Sequence, residues 1–216
     1  MLELEFRGRG RRGPLRILCL GAHCDDIDIG CGGTLLKLLE DSRCAVSWVT
    51  FAATPERAGE LRSSARRFLR GAQRTEVVVH AFRDSYFPAQ YAAIKESFEP
   101  LKRASRPDLV FTHRRDDAHQ DHRIVSELTW NAFRDQLVLE YEVPKWDGDL
   151  TTPNAYVQLR AKHVRAKIHH LLASYPSQRS KSWFDKDTFQ GLMRLRGVEA
   201  GCQWAEGFCA KKIRLT

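Results

Sequence analysis

The sequence has no run of about 18–20 consecutive apolar residues, the length a membrane-spanning helix needs, so a helical membrane span is excluded. Its opening stretch, Met1–Arg16, lacks the apolar centre of a secretory signal. No pair of cysteines is spaced C-x-x-C, which rules out a zinc knuckle and a thioredoxin-like motif. Internal repeats and low-complexity linkers are also missing. There is no RNP-like aromatic strand and no paired Cys/His finger, so nucleic acid is not an expected partner. These absences lead to an expectation of a cytoplasmic protein whose six cysteines (Cys19, Cys24, Cys31, Cys44, Cys202 and Cys209) stay reduced and mostly serve as small apolar fillers.

Acidic residues are in the minority: 27 Asp and Glu against 35 Lys and Arg give a formal charge of +8. That balance tilts the expectation toward an anionic small-molecule partner without naming one. The arginines concentrate in two places. One is Arg7, Arg9, Arg11 and Arg12, within residues 1–14, where the interspersed glycines suggest a mobile basic tail. The other is Arg57 to Arg74, with six arginines and only Glu60 to offset them, which reads foremost as a solvated basic face.

With 216 residues, 43% hydrophobic and 29% charged, the composition is that of an ordinary globular domain, here taken as residues 15–216. Apolar runs that read as buried strands fall at Leu15–Leu20, Val46–Ala53, Val77–Phe82, Asp108–Thr112 and Leu137–Val143. Between them lie a helix start at Thr34–Leu39 and helical patterns at Glu56–Leu69, Tyr91–Ala104 and His119–Phe133. Arg160–Ala173 and Asp187–Leu195 also look helical, and Lys212–Leu215 suits an edge strand. Strand–helix alternation of this kind predicts an α/β fold: a mostly parallel sheet covered by helices on both faces, a Rossmann-like three-layer sandwich. In such sheets ligands gather beyond the carboxyl ends of the strands.

Two polar clusters sit at such ends. Ala22-His23-Cys24-Asp25-Asp26 and Gly30-Cys31-Gly32-Gly33 follow the first strand, and His113 to His122 follow the fourth. Together the two loops hold four of the eight histidines and five carboxylates. Imidazole and carboxylate suit metal-assisted hydrolysis. A catalytic zinc takes three such ligands and keeps one position open, and a carboxylate outside that set can accept a proton from water. His119 and His122 are three apart and share a helix face, while Asp121 points elsewhere and can hold an imidazole from behind. The glycines ahead of a helix read as a tight turn allowing close backbone approach, not as the G-x-G-x-x-G of a dinucleotide site. Each residue also has an ordinary structural explanation: Asp25, Asp26 or His119 as a helix cap, and His113 as a strand terminator.

The first segment, A-H-x-D-D-x-x-x-G-x-G-G, and the second, matched at His113, Asp116, His119, Asp121 and His122, resemble the PIG-L/LmbE-like zinc-dependent N-deacetylases. The resemblance covers roughly Leu15 to Val143, and the last third only loosely. It implies an LmbE-like fold and removal of acetyl from an N-acetylglucosamine-type glycoside, nucleotide-sugar or glycolipid. It also implies that His23, Asp26 and His122 bind Zn2+, that Asp25 is the base acting on a zinc-bound water, and that His119, oriented by Asp121, steadies the oxyanion and helps protonate the leaving amine. The same donor set suits Fe2+. Arg57, in Arg57-Ala58-Gly59-Glu60, and Asp84 are the expected substrate contacts. Tyr175 and Glu206 are looser candidates. Cys24 departs from the family pattern, standing where proline is usual. An amidase of a sugar-thiol conjugate is the alternative activity, with a non-catalytic sugar-binding protein behind it. A homo-oligomer is compatible with the sequence.

Overall fold

A computed structural model describes residue 3, residues 13–104 and residues 106–214. The basic segment Arg7–Arg12 and Leu215 lie outside the described residues. The chain alternates β1 (Leu15–Gly21), α1 (Asp26–Asp41), β2 (Cys44–Thr50), α2 (Pro55–Phe68), β3 (Arg74–Val79), α3 (Tyr91–Ala104), β4 (Leu109–His113), α4 (Gln120–Ala132) and β5 (Leu137–Tyr141). It then forms β6 (Ala155–Gln158), α5 (Ala161–Ser174), α6 (Lys186–Glu199) and β7 (Ala205–Ala210). The strands make one sheet in the order β3-β2-β1-β4-β5-β7-β6. The first five run parallel, and β7 pairs antiparallel with both β5 and β6.

The sheet is sandwiched because its central strands are apolar on both sides. Along β1, Ile17 and Cys19 pack with α1, α2, α5 and α6, whereas Leu18 and Leu20 pack with α3 and α4. That double burial explains the continuous apolar run of LRILCL. From β1 the chain turns toward β2 on one side, and β4 lies on the other, so the crevice at their carboxyl ends is the topological switch point. Both polar clusters end there. No helix among the described residues is long and apolar enough to cross a membrane.

Three expectations change. The glycines are not a turn ahead of a helix: α1 begins at Asp26, and Gly30, Gly32 and Gly33 lie inside it. They are there for contact. A Cβ on Gly30 would stand 2.1 Å from the Tyr141 ring, one on Gly32 2.6 Å from Phe68, and one on Gly33 2.7 Å from Leu159. The edge strand expected at Lys212–Leu215 is absent at 212–214. The late strand is instead Ala205–Ala210, whose AEGFCA sequence conceals it because Glu206 is buried by an ion pair with Lys167. The outer edge is β6, in a stretch with no strand signal.

Candidate metal and active site

Three short connections bring the site together. After β1, residues 22–25 lead directly into α1, so Asp26 sits in the first turn of α1 with His23 just before it. Asp25 holds the N-cap position, but its side chain makes no capping bond. Its carboxylate is turned to Arg57 in α2, whose Nη2 donates to Oδ1 at 2.9 Å. After β4, the loop 114–119 leads into α4, where His119 is the N-cap and accepts the Asp121 N–H on Nδ1 at 3.2 Å. His119 is therefore a cap, as its ordinary explanation holds, and it also lines the cleft.

His23 Nδ1 stands 3.2 Å from His122 Nε2 and 3.5 Å from Asp26 Oδ2, and His122 Nε2 is 3.5 Å from Asp26 Oδ1. A tetrahedral zinc with ligands at about 2.0–2.1 Å would set them about 3.3–3.4 Å apart. The His23–His122 edge matches that spacing, while Asp26 meets the two rings through different oxygens; single donor atoms of Asp26, His113 and His122 also lie within 4.8 Å of one another, so the cluster as a whole suits a divalent metal. His119 also brings a ring nitrogen within 4.8 Å of those of His23 and His122. The identity of a metal does not follow from this geometry.

Carboxylates stand behind the imidazoles. His122 Nδ1 is 3.1 Å from Asp117 Oδ2. His23 Nε2 is 3.3 Å from Asp121 Oδ2 and 3.2 Å from Asp84 Oδ1. Contacts of this kind fix which ring nitrogen is free to ligate. The Asp121 carboxylate faces His23, and only the Asp121 backbone N–H meets the His119 ring; the carboxylate is itself held by the Ser85 and Phe87 N–H groups at 2.6 and 3.2 Å. Ser85 has a φ of 66°, unusual for a residue with a side chain, and the bond to Asp121 helps hold it there. His113 is fully buried, stacked on the His122 ring at 3.8 Å, with Nε2 3.1 Å from Asp26 Oδ2. It also accepts the Ala22 N–H on Nε2 at 2.9 Å, not a bond from its side chain to a carbonyl as a strand terminator would make.

The electrostatics follow from burial against charge. Burial pushes His122 down to about 3, with His113 adding to the effect, so it is a neutral imidazole, the form a metal needs. Burial also works against a charged His23, but Asp26, Asp121 and Asp84 outweigh it and raise its pKa well above the usual histidine range. Asp26 is buried, yet His122, His113 and His23 hold it well below the carboxylate range. Burial raises Asp25, and the Arg57 guanidinium pulls it partly back. Burial raises the Cys24 thiol to about 11, which suits a filler better than a reactive group.

His23, Cys24, Asp25, Asp26, His119 and His122 line one cleft of about 680 Å³, and His113, Asp117 and Asp121 lie buried behind them. Asp84 is exposed on it, 69% by side chain. Arg57 also lines it but is committed elsewhere: besides Asp25, it donates to Ser177 Oγ at 3.1 Å and lies 3.7 Å from Glu60. Ser177 in turn donates to Glu60 at 2.6 Å. Tyr175 lies beneath the site, its hydroxyl 2.6 Å from the Cys24 carbonyl oxygen and 2.8 Å from Asp28 Oδ2. Glu206 does not line this cleft: it is buried and bound to Lys167 and the α1 backbone. The motif-matched Asp116 is a surface residue at 76% exposure, whereas Asp117, which the motif did not select, is buried against His122. The Asp116-Asp117 doublet was the available signal.

The fold and site together define a class: a three-layer α/β protein whose switch-point crevice carries a His/Asp set suited to a divalent metal. The family model of PIG-L, GlcNAc-PI de-N-acetylase, matches residues 18–133, more than half of the chain, and the chain belongs to that family. Its fold is also that of several solved proteins. One is N,N′-diacetylchitobiose deacetylase from Pyrococcus horikoshii, 20% identical, with a TM-score of 0.68 over 92% of this chain and 84% of that one. Another is the conserved protein TT1542 from Thermus thermophilus, 22% identical, with a TM-score of 0.71 over 94% and 97%. A third is GalB, the 4-carboxy-2-hydroxymuconate hydratase from Pseudomonas putida, 15% identical, with a TM-score of 0.72 over 93% and 98%.

Proposed function

We propose that the chain is a metal-dependent N-deacetylase, with zinc the first choice, that hydrolyses the acetamide of an amino-sugar to acetate and a free amine in the cytoplasm. The observation that carries this reading is the triangle of His23, Asp26 and His122 with a separate carboxylate, Asp25, beside it. A bound divalent metal supplies Lewis acidity toward the acetamide oxygen and toward water. His23, Asp26 and His122 hold it, and Asp121 and Asp117 keep the two rings oriented.

Arg57 fixes one Asp25 oxygen, so the carboxylate presents a defined edge to the cleft and accepts the proton of the attacking water. Water adds to the acetyl carbon and the carbon–nitrogen bond then breaks. The proton held by Asp25 passes to the leaving nitrogen. Because Nδ1 of His119 accepts a backbone N–H, its exchangeable proton resides on Nε2, where it donates to the developing oxyanion. Asp84 supplies an exposed acceptor for sugar hydroxyls. With its guanidinium bound to Asp25, Arg57 serves the base more directly than it serves an anionic substrate.

Metal analysis and acetate release from a panel of acetamido-sugars test the reading. Asp25→Ala keeps metal and loses about 10²–10⁴-fold in rate, the size of a general-base contribution, while His122→Ala loses metal. A fully active Asp25→Ala protein would overturn the base assignment. The likeness in fold to a hydratase favours a second reading, addition of water to a carbon–carbon double bond; that reaction releases no acetate.

A further inference from the structure

We propose that Tyr175 is a positioning residue for the base: from beneath the cleft it fixes both the peptide that carries Asp25 and the guanidinium that Asp25 leans on. This rests on the deacetylase reading, in which Asp25 takes the proton of the attacking water. Tyr175 lies outside residues 18–133, the stretch that the family model matches. Its side chain is fully buried, so it touches no substrate. Whatever it contributes must pass through its neighbours.

Two of those neighbours support Asp25. The Tyr175 hydroxyl stands 2.6 Å from the Cys24 carbonyl oxygen. That carbonyl belongs to the planar peptide joining Cys24 to Asp25, so holding it fixes the direction from which the Asp25 side chain departs. Asp25 needs such a hold, because its side chain makes no capping bond to α1. The Tyr175 ring lies under the Arg57 guanidinium, whose carbon is 5.5 Å from the ring centre. Arg57 in turn donates to Asp25 Oδ1 at 2.9 Å and to the hydroxyl of Ser177, two residues beyond Tyr175, at 3.1 Å. One short segment thus steadies the backbone and the carboxylate of the base at once.

The hydroxyl has a single proton and two oxygens in reach, since Asp28 Oδ2 lies 2.8 Å away. A carbonyl only accepts, so the Tyr175 proton goes to Cys24. The second contact is then supplied by the Asp28 carboxyl, which is fully buried and takes the Ser64 hydroxyl on its other oxygen. Asp28 therefore holds the Tyr175 oxygen from behind and leaves its proton aimed at the Cys24–Asp25 peptide.

The test carries Tyr175→Phe and Tyr175→Met through a double-mutant cycle with Asp25→Ala, on the acetamido-sugar that releases the most acetate. Phenylalanine keeps the ring under Arg57 and loses only the hydroxyl; methionine loses both and keeps apolar bulk. In Tyr175→Phe kcat should fall about 10-fold, and in Tyr175→Met it should approach the roughly 10²-fold that a misplacement of about 1 Å costs. KM, and zinc affinity in calorimetric titration, should stay within about twofold, because Tyr175 reaches neither substrate nor metal. In the Asp25→Ala background either substitution should change the residual rate by less than about twofold, since the group being positioned is gone. A residual rate that falls as far as it does with Asp25 present would overturn the proposal. So would full kcat in Tyr175→Phe, or a loss that falls on KM or zinc affinity instead. Circular dichroism shows which variants are folded at the assay temperature, and either one suffices for the cycle. If the unaltered protein released no acetate, the deacetylase reading would fail, and a crystal structure of Tyr175→Phe would decide alone. An unrotated Cys24–Asp25 peptide, with the Arg57–Asp25 bond still at 2.9 Å, would then overturn the positioning role.

Discussion

Replacing either partner of the buried Lys167–Glu206 pair should damage stability by unequal and predictable amounts. Both side chains are 4% exposed and 2.6 Å apart. Glu206 accepts the Gly33 and Thr34 N–H groups of α1 at 2.9 and 2.7 Å, and the Lys167 ammonium donates to the Ile29 carbonyl. Ile29 and Gly33 are four apart, the spacing that pairs carbonyl with amide inside a helix. The ion pair thus attaches to the ladder of the helix that carries Asp26. In Lys167→Met the carboxylate keeps two N–H donors, so the loss belongs at the low end of the range for breaking a buried pair, about 3 kcal/mol. In Glu206→Leu the ammonium is left with one carbonyl and two amides lose their acceptor, each worth about 1–3 kcal/mol. The loss then reaches about 5 kcal/mol. The double variant removes the buried charge altogether, so it should be more stable than Glu206→Leu alone. For a chain of 216 residues, 1 kcal/mol moves Tm by about 2–4 °C, giving falls of roughly 6–12 °C and 10–20 °C for the two single variants. Urea denaturation and circular-dichroism melting read all three. The reasoning is refuted if Lys167→Met is the worse single variant, or if the double variant is no better than Glu206→Leu.

Two further outcomes follow. Alanine at Gly30 and at Gly59 should act in opposite directions. At Gly30 the new Cβ meets the buried Tyr141 ring, and overpacking of about 1–3 kcal/mol outweighs the gain of about 1 kcal/mol in helix propensity. At Gly59 nothing lies within 4 Å, so the propensity gain stands alone. Denaturant midpoints of the two proteins check this. Asp117→Asn should weaken zinc binding 10–100-fold in calorimetric titration, the usual cost of losing a carboxylate behind a ligating imidazole. Asp116→Asn, altering a side chain 76% exposed, should leave it unchanged.

The parts of the fold that were readable in the sequence are those whose burial is uniform. Strand β1 is covered on both faces and reads as an unbroken apolar run, and α3 spans the residues its periodicity gives, Tyr91–Ala104. Strand β7 was unreadable because a glutamate occupies a core position in it, made tolerable by the lysine on α5 and two amides of α1, all remote in sequence. The start of α1 was unreadable for a similar reason. Three glycines in eight residues argue against a helix by propensity, and the compensation comes from Tyr141, Phe68 and Leu159, remote in sequence, which pack where their side chains would be.

In the site, the limit lies at orientation. Strand order and two motifs put His23, Asp26, His119 and His122 at one crevice, since both loops leave adjacent parallel strands at the switch point. Which way a loop side chain points has no period to reveal it. The spacing selected Asp116, and the backbone turns Asp117 inward instead, where it meets His122 and Lys145 at once. His113 closes a strand in which all five residues are buried, so alternation gives no face to it, and its contact with Asp26 emerges only when β4 lies beside β1. Arg57 shows the same limit most sharply. From the sequence it is a cation at a strand end, free to meet an anion. In the fold its charge is already met by Asp25, and its other contacts, Glu60 and Ser177, come from its own helix and from a segment more than a hundred residues away. A charge balance can therefore be read from composition, but the partner each charge has chosen cannot. At this site that choice separates a residue that recruits substrate from one that holds the base.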